Sequence, residues 1–111
     1  MRKAHWWQEP QFTGFTPREI FQVFMTVMFY TYVLRSKKDG KLYVGSTKNL
    51  KERFEQHCAG KVISTSYRRP LALIYYEACV KEEDARRREK TLKSFRGTMF
   101  LRRRLKSYFT G

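Results

Sequence analysis

The stretch Phe29-Tyr30-Thr31-Tyr32-Val33-Leu34-Arg35-Ser36-Lys37-Lys38-Asp39-Gly40-Lys41-Leu42-Tyr43-Val44-Gly45 decides the fold. Its opening, Phe29 to Arg35, is rich in β-branched and aromatic residues, and Lys41 to Gly45 is a shorter run of the same kind. Between them Lys38-Asp39-Gly40-Lys41 reads as a tight turn, so the spacing predicts a β-hairpin. With Asp39 and Gly40 as a two-residue loop, Ser36 stands opposite Tyr43. Side chains alternate along a strand, so Tyr32, Leu34, Ser36, Tyr43 and Gly45 share one face. The Cα atoms of Tyr32 and Tyr43 are then about 13 Å apart, and twist must bring the hydroxyls together.

Outward from the hairpin, Asn49-Leu50-Lys51-Glu52 has the form of a capping box and opens a helix to about Cys58, before Gly60. Leu50 and Phe54 lie one turn apart and point to the core; Arg53 and His57 form the adjoining stripe. Leu71 to Ala78, after Pro70, reads as a buried third strand. A second helix is expected from about Lys81 to Phe95, with Ala85, Leu92 and Phe95 inward and Gly97 breaking it. Met99 to Tyr108 then forms a last basic helix. The order β-β-α-β-α-α predicts an α+β domain, a three-stranded antiparallel sheet flanked by helices.

Upstream, residues 1–28 look different. His5-Trp6-Trp7 and Phe12-Thr13-Gly14-Phe15 show no period. Thr16-Pro17-Arg18-Glu19 resembles a helix start, with Ile20, Val23, Phe24 and Val27 along one face. The reading is an extension over 1–28, either a short helix or an artefact of start-site choice at Met25 or Met28, followed by the main domain over 29–108.

Composition narrows the class. The 111 residues suffice for one modest core, and 41% hydrophobic with 16% aromatic content argues against disorder. The formal net charge of +14 is densest in 80–111, in Arg86-Arg87-Arg88 and Arg102-Arg103-Arg104. Such a field draws polyanions, nucleic acid first among them, although a basic helix face can also be simply solvated. Cys58 and Cys79 make neither a disulfide framework nor a zinc site and read as small core residues in a reducing compartment. The apolar run Ile20 to Phe29 is too short to span a bilayer and lacks a signal-peptide cleavage pattern, so a cytoplasmic protein away from membranes is expected.

Cutting a phosphodiester requires an activated water, neutralised phosphate oxygens and help for the departing oxygen. Arg53 suits the phosphate, because a guanidinium holds two oxygens at once; as a helix residue it reads equally as solvated. Glu89 suits Mg²⁺ as a hard oxygen ligand, or else forms an i,i+4 pair with Lys93. Tyr32 and Tyr43 are ordinary strand residues by propensity. A tyrosine becomes a general base when nearby positive charge lowers its pKa, and Arg53, His57 and a metal ion are the groups available for that.

The joint spacing of these groups is more specific than any one of them. Tyr30-Thr31-Tyr32 and Tyr43-Val44-Gly45 stand as two signature triplets. Leu50-Lys51-Glu52-Arg53 with His57 follows as an arginine helix, and Ala85 to Glu89 with Lys93 as an acidic one. Over residues 29 to 107 the chain resembles the GIY-YIG endonuclease superfamily. Ser64 to Pro70 is similar to the connector of its small stand-alone members, relatives of the nuclease domain of the bacterial excision-repair incision subunit.

The resemblance implies a Mg²⁺ (or Mn²⁺)-dependent endonuclease acting in DNA repair on branched, damaged or single-stranded DNA. Tyr32 is then the base on water, aided by Tyr43 and His57; Arg53 grips the scissile phosphate, and Glu89 holds the metal by the leaving 3′ oxygen. Lys48, Lys51, Tyr67, Arg68, Arg69 and Lys93 are the expected nucleic-acid contacts. A non-catalytic nucleic-acid-binding module on the same scaffold is the alternative. The chain departs from the family pattern in two places. Tyr30 replaces the first triplet's glycine, and no asparagine follows Glu89; Asn49 is instead a helix cap.

Overall fold

Antiparallel pairing organises the chain from Phe29 onward. β1 (Phe29–Ser36) is the central strand, with β2 (Leu42–Thr47) on one side and β3 (Leu71–Cys79) on the other. The computed structural model describes residues 14–111, so His5-Trp6-Trp7, Phe12 and Thr13 lie outside the described residues. Helix α1 (Pro17–Thr26) precedes the sheet. Helix α2 (Leu50–Cys58) and the single turn α3 (Ile63–Ser66) separate β2 from β3, and α4 (Glu82–Lys93), α5 (Phe95–Arg104) and α6 (Lys106–Thr110) follow. The α+β class and the three-stranded antiparallel sheet expected from the sequence are those of the structure.

The hairpin differs in its loop. The Ser36 amide donates to the Lys41 carbonyl at 2.9 Å, closing a loop over 37–40 instead of 39–40. Ser36 causes the difference: its buried hydroxyl accepts from the Lys38 and Asp39 amides and itself donates to the Arg68 carbonyl at 2.6 Å. Tyr43 therefore stands opposite Leu34, not Ser36. A shift of two residues keeps every side chain on its expected face. It also shortens the ladder between the tyrosines, whose ring centroids are 6.4 Å apart.

Alternation along β1 divides the core into two layers. On one face Tyr32 and Leu34 pack with Leu71, under Leu50 and Phe54 of α2. On the other, Val33 and Val44 meet Leu92 of α4 and Leu101 of α5. Burial of side chains this large stabilises by roughly 1.5–3 kcal/mol each. A bulge in the β1–β3 pairing between Val33 and Leu34 turns Ile74 and Tyr75 together onto the α4–α5 face. β3 is half-buried, not buried as expected, because it is an edge strand.

The C-terminal helices divide differently from the expected pattern. Helix α4 ends at Lys93, and Ser94 caps α5 by accepting from the Gly97 amide at 3.1 Å. Phe95, expected inward, is 80% exposed because it opens the new helix on its outer side. Gly97 lies within the first turn of α5 and does not break a helix there. A Cβ at that position would overlap the Thr91 carbonyl and the Leu92 backbone, so glycine permits the sharp α4–α5 contact. The last long helix thus spans Phe95–Arg104, earlier than the expected Met99 to Tyr108. The cysteines are not core residues: Cys58 ends α2 on its solvent side, and Cys79 ends β3 half-exposed. Thr16 caps α1 by accepting from the Glu19 amide, and the Tyr30 hydroxyl donates to the Met25 carbonyl at 3.0 Å. Val23 and Val27 remain exposed.

Candidate active site

Tyr32 points from the central strand across its partner on β2, which is Gly45. A Cβ on Gly45 would stand 2.5 Å from the Tyr32 hydroxyl oxygen and 2.6 Å from the ring carbon bearing it. The second triplet ends in glycine because the phenol of the first occupies that space. Tyr32 is 1% exposed, and its hydroxyl lies 2.8 Å from His57 Nε2. Tyr43, from β2, closes the group with its ring 5.2 Å from the imidazole.

His57 is wholly buried, and its other nitrogen, Nδ1, is 2.7 Å from the hydroxyl of Thr65 in α3. The donor and acceptor roles along this chain depend on the His57 tautomer, and one tautomer gives each hydroxyl proton an acceptor. Nε2 accepts from Tyr32, Nδ1–H donates to Thr65, and the Thr65 hydroxyl turns to the Val62 carbonyl at 3.5 Å. Burial, then the charge of Arg53, lowers the His57 pKa to about 4, so the ring is neutral near pH 7. It therefore lends Tyr32 no positive charge. Burial pushes the Tyr32 phenol above its ordinary value; Arg53 pulls it back by hydrogen bonding and charge, while Tyr43 and Glu89 push it up. Among the protein's own groups, desolvation outweighs the guanidinium.

Arg53 comes from the half-buried flank of α2, four residues before His57, and its Nη1 donates to Gln56 at 3.0 Å. Glu89 approaches from elsewhere. It is carried by α4, which covers the sheet face opposite α2, and its charge still acts on the Tyr32 phenol. Ser46, the residue after Gly45, donates to its carboxylate at 2.6 Å, and Lys93 pairs with it at 2.8 Å. The structure thus brings Tyr32, Tyr43, His57 and Arg53 onto one side of β2 and sets Glu89 against the other.

Burial opposes ionising Glu89, but hydrogen bonds from Lys93 and Ser46 and the charges of Lys93 and Arg86 hold its pKa below the ordinary carboxylate value. Among the described residues no cluster of three or more His, Cys, Asp or Glu is arranged to hold a metal. One ionised, half-buried carboxylate nevertheless fits Mg²⁺, which keeps much of its water and takes its remaining oxygens from substrate phosphates.

The expected nucleic-acid contacts fall into two groups. Lys48, just before α2, and Lys51, in its first turn, are exposed, and Tyr67 is 68% exposed. Arg68 is turned inward, to the Leu42 carbonyl at 3.4 Å and the Asp39 carboxylate at 3.8 Å. Arg69 donates to the Ser66 and Cys58 carbonyls, and Lys93 is held by Glu89. Sequence reasoning missed Thr65 and Ser46. Thr65 lies inside the Ser64 to Pro70 connector, but only the fold shows that it meets His57. Ser46 had no signal beyond its adjacency to Gly45. Among the described residues no helix is long and apolar enough to cross a membrane.

Residues 28–100 match the family described as the GIY-YIG catalytic domain. A UPF0213 protein of Staphylococcus haemolyticus is 40% identical over 67 residues, which are 60% of this chain and 80% of that protein. A UPF0213 protein of Pseudomonas aeruginosa is 39% identical over 64 residues, and that match spans 57% of this chain and 61% of the relative's length. The solution NMR structure of a UPF0213 protein from Bacillus halodurans is similar at 34% identity with a TM-score of 0.43, covering 67% of this chain and 81% of that one.

Proposed function

Given that this chain belongs to the GIY-YIG catalytic-domain family, we propose that it is an endonuclease hydrolysing phosphodiester bonds in DNA. The catalytic unit is placed over 29–108, with 1–28 as an extension. The observation that carries the reading is the buried bond from the Tyr32 hydroxyl to His57 Nε2, seated over Gly45 with Arg53 beside it.

A neutral His57 accepts hydrogen at Nε2, so Tyr32 has a destination for its own proton when it takes one from water. The water oxygen forms the new bond to phosphorus as the bond to the 3′ oxygen breaks. Arg53 binds the non-bridging oxygens and offsets the charge that grows on them. Tyr43 packs edge to face on the imidazole. Glu89 would hold a divalent cation, Mg²⁺ or Mn²⁺, which supplies charge neutralisation at the departing oxygen when bound.

One observation favours a second reading, a nucleic-acid-binding module without activity: Lys93 already pairs with the Glu89 carboxylate. Labelled branched, single-stranded and duplex DNA, incubated with Mg²⁺, with Mn²⁺ and with chelator, separates the two. The nuclease reading expects metal-dependent cutting lost in Glu89→Gln. Tight binding by wild type and variant, with neither cutting any substrate, selects the module.

A further inference from the structure

An apolar cleft of about 560 Å³ adjoins the site, floored by Tyr30, Phe54, Leu73 and Tyr76 with Lys48 and Lys51 at its rim. We propose that this cleft is a subsite for one unstacked base of single-stranded DNA next to the scissile phosphate; the position relative to the cut rests on the nuclease reading above.

Three observations carry it. First, the cleft neighbours the site: Tyr76 is the β3 partner of Tyr32. Tyr30 is two residues before Tyr32 on the same strand face, and Phe54 follows Arg53 on α2. Second, its aromatic surface is accessible: Tyr76 is 49% exposed, and its ring stands edge-on to Tyr30 with centroids 5.9 Å apart. Every base has a π-face, so such a ring binds without needing a particular sequence. Third, the rim is basic. Lys48 and Lys51 are exposed, and among the described residues neither makes an ion pair. Two lysines over an aromatic floor complement a phosphate joined to a base. Glu55 also lines the cleft and turns that part of the rim away from the backbone. A base inside a duplex presents only its edge, so the cleft discriminates against intact double strands.

The test uses the full chain in chelator, where binding is read without cutting. A single strand carrying 2-aminopurine should lose fluorescence on binding. Tyr76→Ala should abolish that quenching and weaken the single strand roughly 5- to 150-fold, with duplex affinity changed less than about twofold. Tyr76→Phe should retain both signals, which separates ring loss from unfolding. Lys48→Ala with Lys51→Ala should reduce the salt slope for single strands by about 1.4, two contacts at ~0.7 each. No quenching in wild type, or equal losses for single strand and duplex, would overturn the proposal. So would a Tyr76→Ala variant that changes oligomeric state and not DNA affinity. Tighter binding of RNA of the same sequence would overturn the choice of DNA. Quenching by a protein that cuts nothing supports the subsite while the nuclease reading falls.

Discussion

The Tyr32 phenol lies across Gly45, its oxygen 2.5 Å from where a side chain on that glycine would begin. The two signature triplets are therefore one steric unit, with the last residue of the first filling the space left by the last residue of the second.

Gly45→Ala should push Tyr32 off His57, because the methyl group meets ring carbons that the sheet holds in place. Overpacking of this kind costs about 1–3 kcal/mol. Urea denaturation of Gly45→Ala, alone and combined with Tyr32→Leu, checks it. The double variant should recover part of the loss; strict additivity would mean the two residues do not collide.

Acid should destabilise the fold through His57. Its folded pKa of about 4 lies below the ordinary 6.5, by burial first and Arg53 second. The unfolded chain thus binds a proton that the folded chain refuses. The contribution is full above 6.5 and is lost as pH falls through 4, up to about 3 kcal/mol in all. Urea midpoints measured near pH 7 and near pH 5 should differ in wild type and nearly coincide in His57→Gln.

Tyr32→Phe keeps the ring over Gly45 and removes only the hydroxyl that bonds to His57. Cutting should fall roughly 10²- to 10⁴-fold, the range for losing general acid–base help, while DNA affinity and circular dichroism stay unchanged. Arg53→Ala should also abolish cutting, with affinity reduced only slightly. A large affinity loss would assign Arg53 to general backbone binding.

Lys93→Ala should lower the half-saturating Mg²⁺ or Mn²⁺ concentration for cutting several-fold, since the ammonium and the metal compete for Glu89. With its lysine end exposed, the pair should change stability by less than about 1 kcal/mol. A metal titration beside the wild type reads the shift; an unchanged or raised requirement would show that Lys93 helps position the carboxylate.

Much of the fold was legible because local chemistry marks it. Asn49 and Glu52 announced α2, and the β-branched runs announced the hairpin. Register was not, because the Ser36 hydroxyl reshapes the loop through Arg68, a partner 32 residues away. Gly97 resembled a breaker by composition, yet its role depends on which backbone lies above it. In the site, strand parity set Tyr32 and Tyr43 on one face and helix spacing set Arg53 and His57 on one stripe; that the two sets belong together came from the family resemblance. That Glu89 arrives from the opposite layer could not be read, since helical periodicity tells which side of a helix is apolar and not which face of a sheet it covers. Thr65 was hidden for a similar reason: its value lies in a 2.7 Å contact across a connector.

β2 pairs with β1 alone, so one side of the strand around Gly45 and Ser46 makes no ladder hydrogen bonds. A strand unpaired along one side turns alternate peptide N–H groups outward, where they are donors that belong to no side chain. A phosphate seated on that side would be gripped partly by main chain, and alanine scanning would leave that grip intact. Variants stripped of every reactive side chain should for this reason still retain substrate, which makes them suited to trapping the bound complex.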